Sequence, residues 1–130
     1  MMLNKKTYAT ITTENVDALF ALPEKVLQFG TGVLLRGLPD YFIDKANKQG
    51  LFNGRIVVVK STDQGGTDAY TEQDGLYTLL EKGIENGLPV ERTTINASIS
   101  RVVSAKTEWQ AVLIVLPILT FKLLFLIQQR

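Results

Sequence analysis

The chain has 130 residues, enough for one modest domain with its own core. Its composition is that of an ordinary α/β protein: 45% hydrophobic, 21% charged, with ten glycines and four prolines. A net charge of +1, with no Lys/Arg cluster of the kind that follows a phosphate backbone, leaves no electrostatic case for a nucleic-acid partner.

There is neither Cys nor His. That removes disulfides, a thiolate nucleophile, Cys-type zinc sites, the usual general base and the commonest metal ligand. Proton transfer within the chain would rest on Asp, Glu, Lys or Tyr. The leader from Met1 to Asn15 is polar and Thr-rich. It carries Lys5 and Lys6 but no apolar stretch after them, so it is not read as a secretory signal, and a cytoplasmic protein is expected.

After Pro23, Lys25-Val26-Leu27-Gln28-Phe29 predicts a short strand ended by Gly30-Thr31-Gly32. A helical stretch follows. Leu34, Leu38, Tyr41, Phe42 and Ala46 fall near helical spacing, with Asp40, Asp44, Lys45 and Lys48 opposite, so the former are expected to face the core. Pro39 suits a first turn, so the regular helix either begins near Leu38 or is kinked there, and Gly50 is a C-terminal stop. Asn53-Gly54 predicts a turn. Arg55-Ile56-Val57-Val58-Val59-Lys60 predicts a strand buried on both faces, as in a parallel sheet. Strand, helix and strand within about thirty-five residues make one βαβ unit.

Ser61 to Asp74 reads as a polar loop. Gly75 to Leu80 is a strand candidate, Glu85-Asn86-Gly87 a turn, and Arg92 to Ile95 and Ile99 to Val103 possible returning strands. Ser104 or Thr107 would cap a short helix through Gln110. Trp109 on that helix is expected in the core. Asn96-Ala97-Ser98 fits a glycosylation sequon, which without a secretion signal is a chance match.

Gly30-x-Gly32 stands between strand and helix, where a dinucleotide turn must stand. Glycine gives a pyrophosphate access to the backbone near the N–H groups of a helix start. A third glycine is lacking, since Leu35 takes its place, and a turn needing glycine for its backbone angles explains the pair equally well. Arg36 could reach a phosphate or a substrate carboxylate, or be solvated. Asp63 is the acidic candidate for an adenosine ribose, although it lies a few residues late. Lys60 and Ser61 would instead suit a 2′-phosphate, so NAD and NADP both stay open at this point.

The segment Gln28-Phe29-Gly30-Thr31-Gly32-Val33-Leu34-Leu35-Arg36-Gly37 resembles the glycine-rich start of the polyol-specific mannitol dehydrogenase family, in the form found in its tagaturonate reductase branch. Other branches tend to carry a His where this chain has Leu35. Two further segments, Gln73 to Leu79 and Asn96 to Ala105, match in the right order, and the resemblance runs from about Leu22 to about Leu113. It implies a Rossmann-type domain binding NAD, with Gly30, Thr31, Gly32 and Arg36 at the cofactor. It implies reversible NADH-dependent reduction of D-tagaturonate to D-altronate in hexuronate catabolism. The acid/base would be a lysine of a separate helical domain, which would also hold the sugar acid, so no catalytic residue is assigned here. Asp63 is not carried over by the resemblance and stays a cofactor candidate on position alone.

The expected fold class is therefore α/β, an incomplete Rossmann-type nucleotide-binding domain with a β-hairpin insertion and a non-native apolar tail. Residues 1–113 form the partial NAD-binding domain. Residues 114–130 are nearly all apolar, with neither alternation nor a stripe, broken by Pro117, Thr120 and Lys122. At seventeen residues this stretch sits at the lower limit of a membrane span of about 17–25. A central Lys would cost about 2.5–3.5 kcal/mol on the insertion scale. With one base restored before Ile114, permitted codons allow the shifted reading Asp-Cys-Ala-Ala-Asn-Pro-Asp-Phe-Gln-Ile-Val-Ile-Ser-Asn-Thr-Thr-Glu, one solution among several. It resembles the family's continuation, so an out-of-frame tail is expected. The competing readings are a nucleotide-binding regulatory module and a small protein attached to a membrane by its C-terminal end.

Overall fold

The computed structural model describes residues 2–30, 32–60, 68–118 and 123–126. Polar side chains shape the leader, which forms two short helices, α1 (Lys5–Ile11) and α2 (Val16–Phe20). The Asn4 side chain accepts from the Thr7 N–H while the Thr7 hydroxyl accepts from the Asn4 N–H, a reciprocal cap. Asn15 caps α2 by accepting from the Ala18 N–H. These helices bury Tyr8, Val16 and Leu19 against Leu76 and Ala97.

Parallel strands β1 (Glu24–Phe29), β2 (Arg55–Lys60), β5 (Ile99–Ser104) and β6 (Leu123–Leu126) form one sheet in the order β5-β2-β1-β6. Alternation along β2 divides the core, because successive side chains of a strand leave by opposite faces. Ile56 and Val58 join Val26, Ile43, Tyr77 and Ile99 on one face, while Val57 and Val59 join Leu27, Val103 and Val112 on the other. The expected two-sided burial of β2 is therefore present. Helix α4 (Pro39–Lys48) supplies Ile43 to the first face, and α6 (Trp109–Ile118) supplies Val112 to the second.

Between β2 and β5 the chain inserts α5 (Asp68–Glu72) and an antiparallel hairpin, β3 (Tyr77–Glu85) and β4 (Leu88–Asn96). Asn86 and Gly87, at φ 53° and 78°, make the two-residue turn whose twist suits a hairpin. The strand expected at Gly75 begins at Tyr77 instead. Gly75 itself has φ 76°, and a Cβ there would collide with the Ile99 carbonyl oxygen.

The helical stretch divides as Pro39 suggested. Helix α3 (Val33–Gly37) ends at Leu38, whose ψ of −85° breaks the run, and Pro39 opens α4 at its first position. The expected facing holds at Lys45, which is exposed, but is reversed at Leu34, Leu38, Phe42, Asp40 and Asp44. Leu34, Leu38 and Phe42 are 58%, 48% and 59% exposed, whereas Asp40 and Asp44 are buried. The inward face of α4 is Asp40, Ile43, Asp44 and Asn47, because its polar side chains satisfy backbone groups that the irregular segments beneath it leave open. Asp44 accepts from the Ala97 N–H at 2.9 Å and from Lys48 Nζ at 2.8 Å. Asn47 brackets Gly54, donating to its carbonyl and accepting from its N–H.

Trp109 is also corrected. It opens α6 and is 47% exposed, while Val112, one turn further in, reaches the sheet. The boundary expected at residue 113 falls inside α6. Among the described residues no helix is long and apolar enough to cross a membrane.

The reversed facing has a direct test. Asp44→Ala strands the buried Ala97 N–H and removes the carboxylate partner of Lys48, which keeps the Ile95 carbonyl, and is expected to cost about 2–3 kcal/mol in urea unfolding. Phe42→Gln, on the face that apolar spacing alone would bury, should change stability by no more than ~0.5 kcal/mol.

Candidate functional site

The order β5-β2-β1-β6 reverses direction at β1. In an open parallel sheet the crevice at such a reversal, beyond the carboxyl ends of the strands, is where ligands bind. Gly30 to Gly32 leaves β1 at that end. The Gly30 N–H donates to the Val59 carbonyl at 2.9 Å, so the turn starts as a continuation of the ladder with β2. Gly30 has φ 116°, a conformation that L side chains rarely adopt. Gly32 is the N-cap of α3, and with no side chain it leaves the first-turn N–H groups without a side-chain cap.

Of the residues singled out in the sequence, Gly30, Gly32 and Arg36 come together here. Thr31 and Asp63 lie outside the described residues. Arg36 sits in the last turn of α3, with its Nε buried and without a hydrogen-bond partner. Its backbone carbonyl accepts from the Tyr77 hydroxyl at 2.8 Å, which ties the end of α3 to the base of the hairpin. Burial raises the Tyr77 pKa above the ordinary phenol value, and the negative Asp40 and Asp44 add to the rise.

Two participants escaped the sequence reading. Gln28 is fully buried near the end of β1, and its Nε2 donates to the Gly30 carbonyl at 3.1 Å and to Asp40 Oδ2 at 3.2 Å. The Asp40 backbone carbonyl in turn accepts from Asn96 Nδ2 at 3.0 Å. The available signals were an amide inside the apolar run of β1 and the spacing of Asp40, Asp44 and Asn47 along one helical face. Asn96 is 1% exposed and its side chain is engaged within the fold, in keeping with a chance sequon.

Burial pushes the Asp40 carboxyl up to about 7, against the lowering effects of the Gln28 hydrogen bond and the positive Arg36. Asp44 is also raised by burial, against Lys48 and the Ala97 N–H. One surface cavity of about 590 Å³ is lined by Lys5, Lys6, Glu14, Asp17, Glu72 and Asp74 among others, and by none of the turn residues. We place the candidate site at the turn, where topology, backbone conformation and unpartnered polar atoms coincide.

These features define an α/β fold of Rossmann type, and solved structures agree. The chain superposes on a mannitol 2-dehydrogenase of Pseudomonas fluorescens, determined with NAD and D-mannitol, with a TM-score of 0.75 and 24% identity, covering 89% of this chain and 24% of that one. A D-sorbitol dehydrogenase gives 0.71 and 19%, with the same coverage. Curated relatives of the chain include altronate oxidoreductases. The protein of Halalkalibacterium halodurans is 40% identical over 114 residues, covering 85% of this chain, and that of Bacillus subtilis 38% over 109 residues, covering 84%. The chain spans about a fifth of the length of these relatives, 22% and 21% respectively. No protein-family model matches it.

The raised Asp40 pKa carries a signed consequence. Its folded value lies above the unfolded 3.8, so the folded chain holds this proton more tightly. The associated stability is complete below about pH 4 and is lost as pH rises toward 7, with a slope approaching ~1.4 kcal/mol per pH unit. Urea unfolding across that range should show the decline in the wild type. Asp40→Asn should remove this residue's part and leave the decline due to Asp44, which is raised in the same direction.

Proposed function

We propose that the chain carries part of the dinucleotide site of an NAD-dependent oxidoreductase acting on a hexuronate, with D-tagaturonate and D-altronate as the pair interconverted. The supporting observation is the Gly30–Gly32 turn at the carboxyl end of β1, at the reversal of strand order, in a chain whose curated relatives include altronate oxidoreductases. The residues present suit the cofactor. Glycine at 30 and 32 leaves the backbone without side chains at those two positions, the first turn of α3 has no side-chain cap, and Arg36 keeps a buried Nε without a partner.

NAD would supply the hydride acceptor or donor for a secondary alcohol and its ketone. Gly30, Thr31 and Gly32 would hold the pyrophosphate through the backbone, Arg36 would face its charge, and Asp63 would take the adenosine ribose. No residue of this chain is given the acid/base role, which falls to the part of the relatives that this chain does not match. Gly32→Val should fill the space next to the phosphates. NADH fluorescence titration of the full chain is expected to show binding by the wild type and none by the variant, and equal affinities would remove the turn from the site.

The same reading assigns no turnover to the chain alone, since it spans 22% of the related altronate oxidoreductase. Purified chain mixed with NADH and tagaturonate should show no substrate-dependent loss of absorbance at the nicotinamide band, and sustained oxidation would overturn this part. We further propose that residues 114–130 are read out of frame. The apolar run without amphipathic order supports this, and in the shifted reading Gln-Ile-Val-Ile falls on positions 122–125, overlapping β6, so a strand beside β1 and the reversal of strand order are expected in either frame. The nucleotide sequence through and beyond codon 113 decides it: the shifted frame must continue as a long dehydrogenase reading frame.

A further inference from the structure

We propose that Asp40, acting through the Gln28 carboxamide, is the positioning residue of the Gly30–Gly32 turn. The inference rests on reading that turn as the cofactor loop. A carboxamide nitrogen has two protons, and Gln28 spends one on the Gly30 carbonyl and one on Asp40 Oδ2. Gln28 thereby joins the backbone of the turn to the first turn of α4. Asp40 is a firm anchor for this link: it follows Pro39 at the start of the helix, and its own carbonyl is held by Asn96 Nδ2.

The consequence lies in the peptide plane. A trans peptide carries its N–H opposite its C=O, so fastening the Gly30 carbonyl toward Gln28 sets the facing of that whole peptide. On the other side of Gly30 the N–H is fixed to the Val59 carbonyl, and the φ of 116° lies between these two restraints. Gly30 is thus held from both sides, one by the sheet and one by Asp40 through Gln28.

Packing alone does not account for this pair. Gln28 Oε1 and Asp40 Oδ1 are both buried without a hydrogen-bond partner. Burial also raises the Asp40 carboxyl, the expected result for an acid withdrawn from water. Two apolar side chains would fill the volume without either desolvated acceptor. What an apolar pair would lose is the directed link to the Gly30 carbonyl.

The test uses the full 130-residue chain, labelled with ¹⁵N, and backbone order parameters at Gly32 against Gly30, whose N–H the sheet holds, and Val57 and Val58 of β2. In the wild type all four should lie near the rigid value of about 0.85. Asp40→Leu should lower Gly32 to below about 0.6 and leave Gly30, Val57 and Val58 unchanged. Asp40→Asn should keep Gly32 rigid, because its amide oxygen still accepts from Gln28. Gln28→Met, which keeps Asp40, should reproduce the loss and serves if the leucine variant does not fold. A turn that stays rigid in both variants, that loosens only together with β2, or that is not rescued by asparagine overturns the proposal. NADH titration of the same samples separates the two readings. A wild type that binds no NADH while the order parameters behave as stated removes the cofactor reading and leaves the positioning role. A wild type that binds NADH while both variants stay rigid removes the positioning role alone.

Discussion

The buried polar face of α4 is the constraint on which the rest of this structure depends. Asp40, Asp44 and Asn47 point inward and reach three segments far apart in sequence: the end of β1 through Gln28, the end of β4 through Asn96 and Ala97, and the entry to β2 through Gly54. Each contact satisfies a backbone or amide group that an apolar helix would leave open, and a buried polar group without a partner costs more than the bond itself yields. Ile43 adds the apolar seal between the carboxylates. The helix therefore acts as a polar clamp set into an apolar sheet.

That arrangement shapes the surface beside the glycine turn. With the polar side chains drawn inward, Val33, Leu34, Leu38 and Phe42 are left outward on α3 and α4. Arg36, on the same short helix, is only half-buried, and its carbonyl is held by Tyr77 from the hairpin. The hairpin inserted between β2 and β5 is thus joined to the candidate site at two points, through Tyr77 and through Asn96, although its far half extends away from the sheet with both faces exposed.

Much of the fold was legible in local pattern. The unbroken β-branched run of β2 announced a strand covered on both faces, Asn86-Gly87 announced a tight hairpin turn, and Pro39 announced the break between two helices. The facing of α4 was not legible, because apolar spacing scores side chains by their own transfer preference and is blind to which backbone groups lie beneath them. Leu38 and Phe42 fit the helical period as well as Ile43 does. Only the proximity of the Gly54 and Ala97 backbone to the helix makes Asn47 and Asp44 the better inward residues.

By itself the sequence determined the class of fold, the place of the glycine turn between strand and helix, and the resemblance borne by Gln28 to Gly37 and the later segments. Those properties reside in short stretches of chain, where strand period, turn chemistry and residue spacing act over a few neighbours. Tertiary structure decided the strand order that puts the turn at a reversal, the inward rotation of the α4 carboxylates, and the meeting of Gln28, Asp40, Tyr77 and Asn96 around one turn. These are contacts across twelve to fifty-six positions of sequence separation. Hydrogen bonds of that kind exist only after the sheet has brought their partners within reach, so no local pattern can encode which polar side chain will be the one that is needed.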